Sequence, residues 1–301
     1  MRLLLRCCLL LASAPALAQF NALPTPSIAA APASDDPPAV QKQLFQAAAF
    51  AAKFQESEAL GRYQAVLKTQ PAHYLALWQS AVLSVKIGQR YSDETRKQAY
   101  FDAARRYADR ALALRPEGGE ANYAAALALF SQATLYHARG RLAAYRELRS
   151  YVHLATEKRP DLPEAWQLLG RWEYRLAHYN IFERLASQLL FGGTPAATSQ
   201  QAMTSLERAR DLAPDRLQYR YDLARVYRYQ GRRRRAIAEL EAAAKLLPVT
   251  SEDLIISRLC SQMLPPLQRA AARRERHRRP KLRVAPGPME GLGRPETRPE
   301  P

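Results

Sequence analysis

The residue types that most often carry catalysis or bind metals are scattered through this 301-residue sequence. Its histidines, at positions 73, 137, 153, 178 and 277, lack metal-ligand spacing, and no HExxH, CxxC or glycine-rich phosphate loop occurs. Cys260 falls on an apolar helix face, which favours a packed core residue over a reactive thiol. Gly192-Gly193 is interpreted as a helix stop and His178 as a surface or packing residue. We therefore expect no catalysis, no metal and no cofactor.

Arginines and aromatic residues recur at fixed positions of four predicted helices and carry a clearer chemical signal. These candidate contact residues are Trp78, Tyr123, Phe130, Arg171, Tyr174, Tyr221, Arg225 and Arg228. A guanidinium group donates paired hydrogen bonds to carboxylates, and tyrosine offers contact area at low entropic cost. The set predicts a groove that binds an acidic or C-terminal segment of a protein or peptide. In the alternative, inserted segments or the N-terminal leader fill the apolar row around Trp78.

The spacing of prolines predicts the helices that must position these residues. Five prolines divide the middle of the chain: Pro71, Pro116, Pro160, Pro214 and Pro248. The residues 12, 8 and 5 positions before each proline are small or apolar in nearly every case, so each set lies on one helix face and the proline ends that helix. Three residues after each of the first four prolines a further helix can begin. Its eighth residue is small in every case: Ala81, Ala126, Gly170 and Ala224.

These paired helices predict a fold. Residues 217–250 have the 34-residue length and small-residue pattern of a tetratricopeptide repeat, and the unit with Trp166 and Gly170 is the other clear case. No hairpin buries its apolar face alone, so neighbours stack into a solenoid with a concave surface. We predict an all-α, tetratricopeptide-like right-handed superhelix of about five hairpins over residues 39–270, closed by a C-terminal capping helix. Pro265-Pro266 must break or kink that helix.

Two smaller features refine this prediction. The spacings between the prolines exceed 34 residues in units two, three and four, which indicates insertions inside those hairpins. Four helix starts carry the capping-box pattern, in which a short polar side chain precedes an acidic or amide residue by three positions. They are Asp161 to Glu164, Asp215 to Gln218, Thr198 to Gln201 and Thr250 to Asp253.

The beginning of the chain has the composition of a targeting segment. Residues 1–18 carry Arg2 and Arg6 near the start, continue through an apolar stretch and end in Ala16-Leu17-Ala18, the pattern of a cleaved signal peptide. A buried helix is the weaker alternative, because nothing polar caps it. We expect an exported, soluble protein, periplasmic or secreted, that begins at Gln19. An Ala- and Pro-rich disordered leader then extends to residue 38.

The end of the chain is basic. With 45 basic and 28 acidic side chains the net charge is +17, and 48% of the residues are hydrophobic, enough to bury a core. Residues 271–301 are predicted to be a basic disordered tail, and contact between this tail and an anionic membrane surface is the alternative function. Nucleic acid is an unlikely partner, because binding it would need a folded basic stripe with stacking groups and export separates the protein from the genome.

One part of the sequence resembles a known family. The segments LLGRWEYRLA (168–177), FERLASQLLFGGTP (182–195) and SLERARDLAPD (205–215) are similar to the regulator of microtubule dynamics family, and the resemblance extends loosely over residues 40–265. It implies an all-helical interaction domain with a helix inserted in the fourth unit. The microtubule role belongs to eukaryotic cytoplasmic or membrane-anchored members, from which an exported chain departs, so we do not expect that role here.

Overall fold

The computed structural model describes residues 36–193 and 197–278, and within these ranges the chain is entirely helical apart from its turns. The first helices of the hairpins are α1 (Pro38–Ala52), α3 (Tyr74–Gln89), α5 (Gly119–Gln132), α7 (Pro163–Ala177) and α10 (Leu217–Tyr229). The second helices are α2 (Glu56–Thr69), α4 (Glu94–Leu114), α6 (Ala138–Lys158), α9 (Ser199–Leu212) and α11 (Arg233–Ala243). Two further helices are α8 (Ile181–Phe191) and α12 (Ser251–Arg278).

The predicted hairpins are confirmed. α1 packs on α2, α3 on α4, α5 on α6, α7 on α9 and α10 on α11. All the small and apolar residues counted back from the five prolines are buried, from Ala59, Tyr63 and Val66 in α2 to Ala236, Leu240 and Ala243 in α11. The first four second helices each end two residues before their proline, as expected when proline disfavours helical geometry in the preceding residue.

Four of the first helices form one continuous inner layer, because α3 contacts α5, α5 contacts α7 and α7 contacts α10. The small residue at the eighth position allows each first helix to approach its partner closely. A Cβ atom placed on Gly170 of α7 would lie 2.6 Å from Cγ of Leu206 and 3.0 Å from the carbonyl oxygen of Ala202, both on α9. Only glycine therefore fits at the crossing of α7 and α9.

The insertions lie inside the hairpins, as predicted, and take two forms. α4 and α6 each have 21 residues, against 14 in α2 and α9, so units two and three lengthen a second helix. Unit four instead adds the separate helix α8 between α7 and α9. α8 contacts α6, so the longer helix of one unit supports the extra helix of the next.

The helix caps follow the sequence only in part. The boxes at Thr198 and Thr250 form, with the threonine oxygen accepting from the backbone N–H three residues later. The boxes at Asp161 and Asp215 were wrong: α7 and α10 begin one residue later than the pattern requires, and the Asp161 carboxylate accepts from Arg159 instead. A box that the sequence analysis missed joins Asn180 to Glu183 at the start of α8.

The last helix covers the end of the stack. α12 packs against α10 and α11 through Ile256, Cys260, Met263 and Leu267, so Cys260 is a core residue as predicted. Of the predicted break or kink at Pro265-Pro266, the break does not occur: both prolines lie on the exposed side and the helix continues to Arg278. Residues 271–278 of the predicted tail are therefore helical. The signal peptide, most of the leader and residues 279–301 lie outside the described residues.

Candidate peptide-binding groove

The structure places the eight predicted contact residues at different depths. Trp78 and Tyr123 are 3% and 5% exposed, so nearly all of their surface packs against the protein. Burial raises the pKa of the Tyr123 hydroxyl far above its ordinary value. The other six keep surface that a partner can reach, and the three arginines are exposed. They are Phe130, Arg171, Tyr174, Tyr221, Arg225 and Arg228.

These six residues meet where α5, α7 and α10 adjoin. Phe130, Arg171, Tyr174 and Arg225 line a cavity of about 200 Å³, here called the C-terminal pocket, with Asp222 and Val226. The Arg171 guanidinium lies 5.1 Å from the centre of the Phe130 ring, and the Arg225 guanidinium lies 5.8 Å from that of Tyr174 and 5.7 Å from that of Tyr221. Each arginine is thus held over an aromatic face by a cation–π contact.

Asp222 supplies the negative charge of the C-terminal pocket, and the sequence analysis did not single it out. Its carboxylate is 4% exposed and accepts hydrogen bonds from the side-chain amides of Gln167 (2.8 Å) and Gln218 (3.0 Å). Arg225 lies 3.8 Å from the same carboxylate. Within the described part of the chain neither Arg171 nor Arg228 pairs with a carboxylate. The pocket therefore keeps free donors for an anionic ligand.

Tyr174 connects the C-terminal pocket to an aromatic cluster at its edge. Burial raises the pKa of the Tyr174 hydroxyl, and Arg225 and Arg228 oppose that rise, which locates both arginines near it. The His178 ring lies 4.0 Å from the Tyr174 ring and 3.8 Å from the Tyr229 ring, measured between centroids. Nδ1–H of His178 donates to the carbonyl oxygen of Tyr174 at 2.6 Å. His178 is accordingly a packing residue, one of the two roles expected for it.

The buried carboxyl group of Glu173 lies between α7 and α9. Glu173 is 5% exposed and accepts a hydrogen bond of 2.7 Å from the Ser205 hydroxyl. Burial raises its pKa to about 7, and the Ser205 hydrogen bond opposes that rise. Glu173 is on the same helix as Arg171 and Tyr174, and its contact with Ser205 joins that helix to α9.

A second cavity, of about 670 Å³, lies at the other end of the groove and is here called the N-terminal pocket. The Arg115 guanidinium lies 4.4 Å from the centre of the Tyr74 ring, and the Tyr74 hydroxyl donates to Glu120, which also pairs with Arg159. Burial and the Glu120 carboxylate raise the pKa of Tyr74 to about 12.

Two further polar residues that line the N-terminal pocket, His73 and Asp36, also bind within the protein. Nδ1 of His73 accepts from the backbone N–H of Ala76, so Nε2–H can donate to Asp36, 3.2 Å away. Trp78 lines this pocket despite its burial. Its polar groups therefore bind one another.

The pKa of Lys86 responds to charges from several other helices. Lys86 of α3 is exposed, yet the surrounding protein lowers the pKa of its ammonium group. Glu164 of α7 raises that pKa and Arg216, just before α10, lowers it, with a smaller effect from Glu252 of α12.

The described residues hold neither a metal-ligand cluster nor a membrane-spanning helix, and their one cysteine is unreactive. In that part of the chain no three His, Cys, Asp or Glu side chains come close enough to hold a metal ion. None of the described helices combines the length and the apolar character that crossing a membrane requires. Burial raises the pKa of the Cys260 thiol to about 11, which removes its nucleophilic form near neutral pH.

A protein-family model matches the helical part of the chain. The model described as Regulator of microtubule dynamics protein 1-3 matches residues 43–268, which is most of the chain. The chain belongs to this family. The resemblance seen in residues 168–215 is thus confirmed.

Individual relatives cover less of the chain. Regulator of microtubule dynamics protein 3 of Mus musculus is 33% identical over 106 residues, which are 35% of this chain and 23% of the mouse protein. The Xenopus laevis protein of the same name is 30% identical over 118 residues, 39% of this chain and 26% of its own length. The match spans about a quarter of these relatives.

The solved structure of a thermophilic TPR protein from Thermus thermophilus is similar to this chain, with a TM-score of 0.53 and 20% sequence identity. The match covers 74% of this chain and 97% of that protein. It shows a tetratricopeptide-like helical solenoid, as the proline spacing predicted.

Proposed function

We propose that this protein is a non-catalytic scaffold that binds an acidic segment of a protein or peptide in the C-terminal pocket. One observation carries the proposal: the exposed Arg171 and Arg228 have no carboxylate partner in the described structure, beside aromatic faces that hold Arg171 and Arg225. Arginines fixed in this way lose little entropy on binding a carboxylate, so a partner that supplies one gains charge-assisted hydrogen bonds.

The location of the pocket supports the same proposal. First helices of stacked hairpins line the concave surface of a solenoid, where extended partners bind. Phe130 and Tyr174 offer apolar contact next to the guanidinium groups, so the pocket suits a segment with a carboxylate beside an apolar or aromatic side chain. The chain's export, based on residues 1–18, is part of the proposal and predicts a mature N-terminus at Gln19.

The test is binding of a fluorescent peptide rich in Asp and Glu that ends in a free carboxylate, followed by anisotropy. In Arg171→Ala/Arg225→Ala we expect affinity to fall about 30-fold or more, because each hydrogen bond to a charged group contributes about 1.5–3 kcal/mol. Helical circular dichroism stays unchanged, since both side chains are exposed.

The matched control removes the same charge elsewhere. Arg106 of α4 and Arg208 of α9 are exposed and have no carboxylate partner among the described residues. Arg106→Ala/Arg208→Ala lowers affinity only through the net charge, by less than about threefold at 0.15 M salt. Equal binding by wild type and the Arg171/Arg225 variant, or an equal loss in the control, contradicts the proposal.

A further inference from the structure

The inserted helix α8 presents its apolar side to solvent. Ile181, Phe182 and Leu189 are 80%, 81% and 76% exposed, and Leu185 and Leu190 are about half exposed. The polar Glu183 and Ser187 of the same helix are buried. A helix on the surface of a globular protein normally has the reverse arrangement, with its apolar stripe against the core. Exposed apolar rows of this size mark interaction sites.

Specific polar contacts hold α8 in this orientation. Glu183 accepts from Arg175 of α7, lies 3.6 Å from Arg141 of α6 and closes the capping box with Asn180. At the other end, Arg146 donates to the carbonyl oxygen of Phe191 at 2.6 Å. Turning the apolar row inward would bury Phe182 only by exposing Glu183 and breaking these bonds. The row is therefore a fixed feature of the surface, here called the α8 ridge (Ile181, Phe182, Leu185, Leu189 and Leu190).

Unpaired arginines flank the α8 ridge. Arg184 on α8 and Arg139 and Arg149 on α6 are exposed, and none has a carboxylate within ion-pair distance in the described structure. Arg149 also lines a shallow cavity of about 850 Å³ between α6 and the end of α8, together with Arg146, His153 and Gly193. The nearby Glu147 is occupied by Arg105. An apolar row thus lies beside a basic rim.

We propose that the α8 ridge docks on the surface of an anionic lipid bilayer, with its apolar side chains between the acyl chains and the flanking arginines on lipid phosphates. Interfacial helices combine these two features, and their binding grows with apolar area and with attraction to anionic lipid. The chain's net charge of +17 favours the same surface.

A second copy of the chain fits the ridge less well. Two ridges that pack face to face bring the basic rims of both molecules together without an acidic counterpart, and like charges in apposition oppose association. A bilayer covers the ridge and neutralises the rim at once. This inference is independent of the peptide-binding groove, since α8 contributes nothing to either of its pockets.

The experiment is co-sedimentation of the full chain with phosphatidylcholine vesicles, with and without phosphatidylglycerol, at about 0.1 M salt. The ridge variant Phe182→Ser/Leu185→Ser/Leu189→Ser should reduce partitioning to anionic vesicles at least about tenfold. The rim variant Arg139→Gln/Arg149→Gln should reduce it about 10- to 30-fold on anionic vesicles only. Both variants change exposed side chains and retain the basic tail, so binding through the tail alone would leave the ridge variant unaffected.

The matched control is another exposed apolar row, on α12. Leu254→Ser/Ile255→Ser/Leu259→Ser changes three exposed apolar residues away from α8 and should alter partitioning less than about twofold. A positive readout comes from Phe182→Trp, whose fluorescence shifts to the blue and is quenched by brominated acyl chains when the ridge inserts. The fluorescence of the three native tryptophans is measured in wild type and subtracted as background.

Four outcomes overturn the proposal. The proposal is wrong if the wild-type chain does not bind anionic vesicles. It is also wrong if the ridge variant binds them as well as wild type does. An equal loss in the α12 control removes the role of α8. A wild-type dimer in sedimentation velocity that the ridge variant dissociates, without vesicle binding, assigns the ridge to a second copy instead.

Discussion

The two pockets of the groove contain similar side chains and differ in what those side chains bind. In the N-terminal pocket Arg115, Tyr74, Glu120 and Arg159 form one internal network, and Asp36 is bound to His73. In the C-terminal pocket the arginines outnumber the carboxylates. Asp222 faces Arg225, and no carboxylate in the described structure faces Arg171. A basic residue therefore indicates a binding site only after its internal partners have been counted.

The largest effect should come from filling the crossing of α7 and α9, which supports only the C-terminal pocket. Gly170→Val places atoms against Leu206 and the backbone of Ala202, and we expect a loss of about 4 kcal/mol in the free energy of unfolding. Urea denaturation measures it.

The matched control for this variant is a helical glycine with free space. Gly61 of α2 has no atom within 4 Å of a built Cβ, so Gly61→Val should change stability by less than about 0.5 kcal/mol. If both valine variants unfold at the same urea concentration, the close approach of α7 and α9 is not the constraint described here.

An effect of intermediate size should come from Glu173, which makes the free energy of unfolding depend on pH. The pKa of Glu173 is about 7 in the folded protein against an ordinary 4.5, so the folded state keeps its proton while the unfolded chain ionises. Its contribution to stability is complete below about pH 4.5 and is lost as the pH rises to about 7. Glu173→Gln stays neutral, and at pH 8 it should raise the free energy of unfolding by about 2–3 kcal/mol.

The measurement is urea denaturation at pH 4 and pH 8. At pH 4 the Gln variant and wild type should have equal stability, since both side chains are then neutral. Glu58→Gln on α2, an exposed glutamate, should leave both values unchanged. A Glu173→Gln variant that is no more stable than wild type at pH 8 would show that Glu173 ionises freely.

The smallest effect tests whether the balance of arginines and carboxylates in the C-terminal pocket sets the affinity for acidic peptides. Asp222→Asn removes the carboxylate that faces Arg225 and keeps an oxygen for the amides of Gln167 and Gln218. If the pocket binds acidic peptides, their affinity should rise about three- to fivefold in anisotropy titrations. Glu120→Gln makes the same change in the N-terminal pocket and should leave affinity unaltered. Weaker binding by Asp222→Asn would indicate that Asp222 itself contacts the peptide.

The sequence predicted the hairpins well because their determinants are local. Proline ends a helix through contacts with its immediate neighbours, and small residues at offsets of four and three lie on one face whatever the surroundings. The capping boxes at Asp161 and Asp215 do not form because each helix begins one residue later than the box requires. Neither aspartate is then the N-cap residue, and Asp161 accepts from Arg159 instead.

The depth of each groove residue depends on which helices pack around it. Trp78, Tyr123 and Tyr221 are each the fifth residue of their helix, yet the first two are buried and Tyr221 is partly open. The orientation of α8 was hidden for a similar reason. Its apolar spacing predicts a core face, and only the pairing of Glu183 with Arg175 and Arg141 shows that the face is turned outward.

The length of α6 and the presence of α8 depend on each other. A helix of 14 residues ending at the same Lys158 would begin at Tyr145 and would lack Arg141, one of the two α6 arginines that hold α8. Glu183 would then keep only Arg175 of α7, while Arg146 would still bind the Phe191 end. A family member with a short sixth helix cannot hold the eighth helix in this way, so comparing these two lengths across relatives identifies those that share the arrangement.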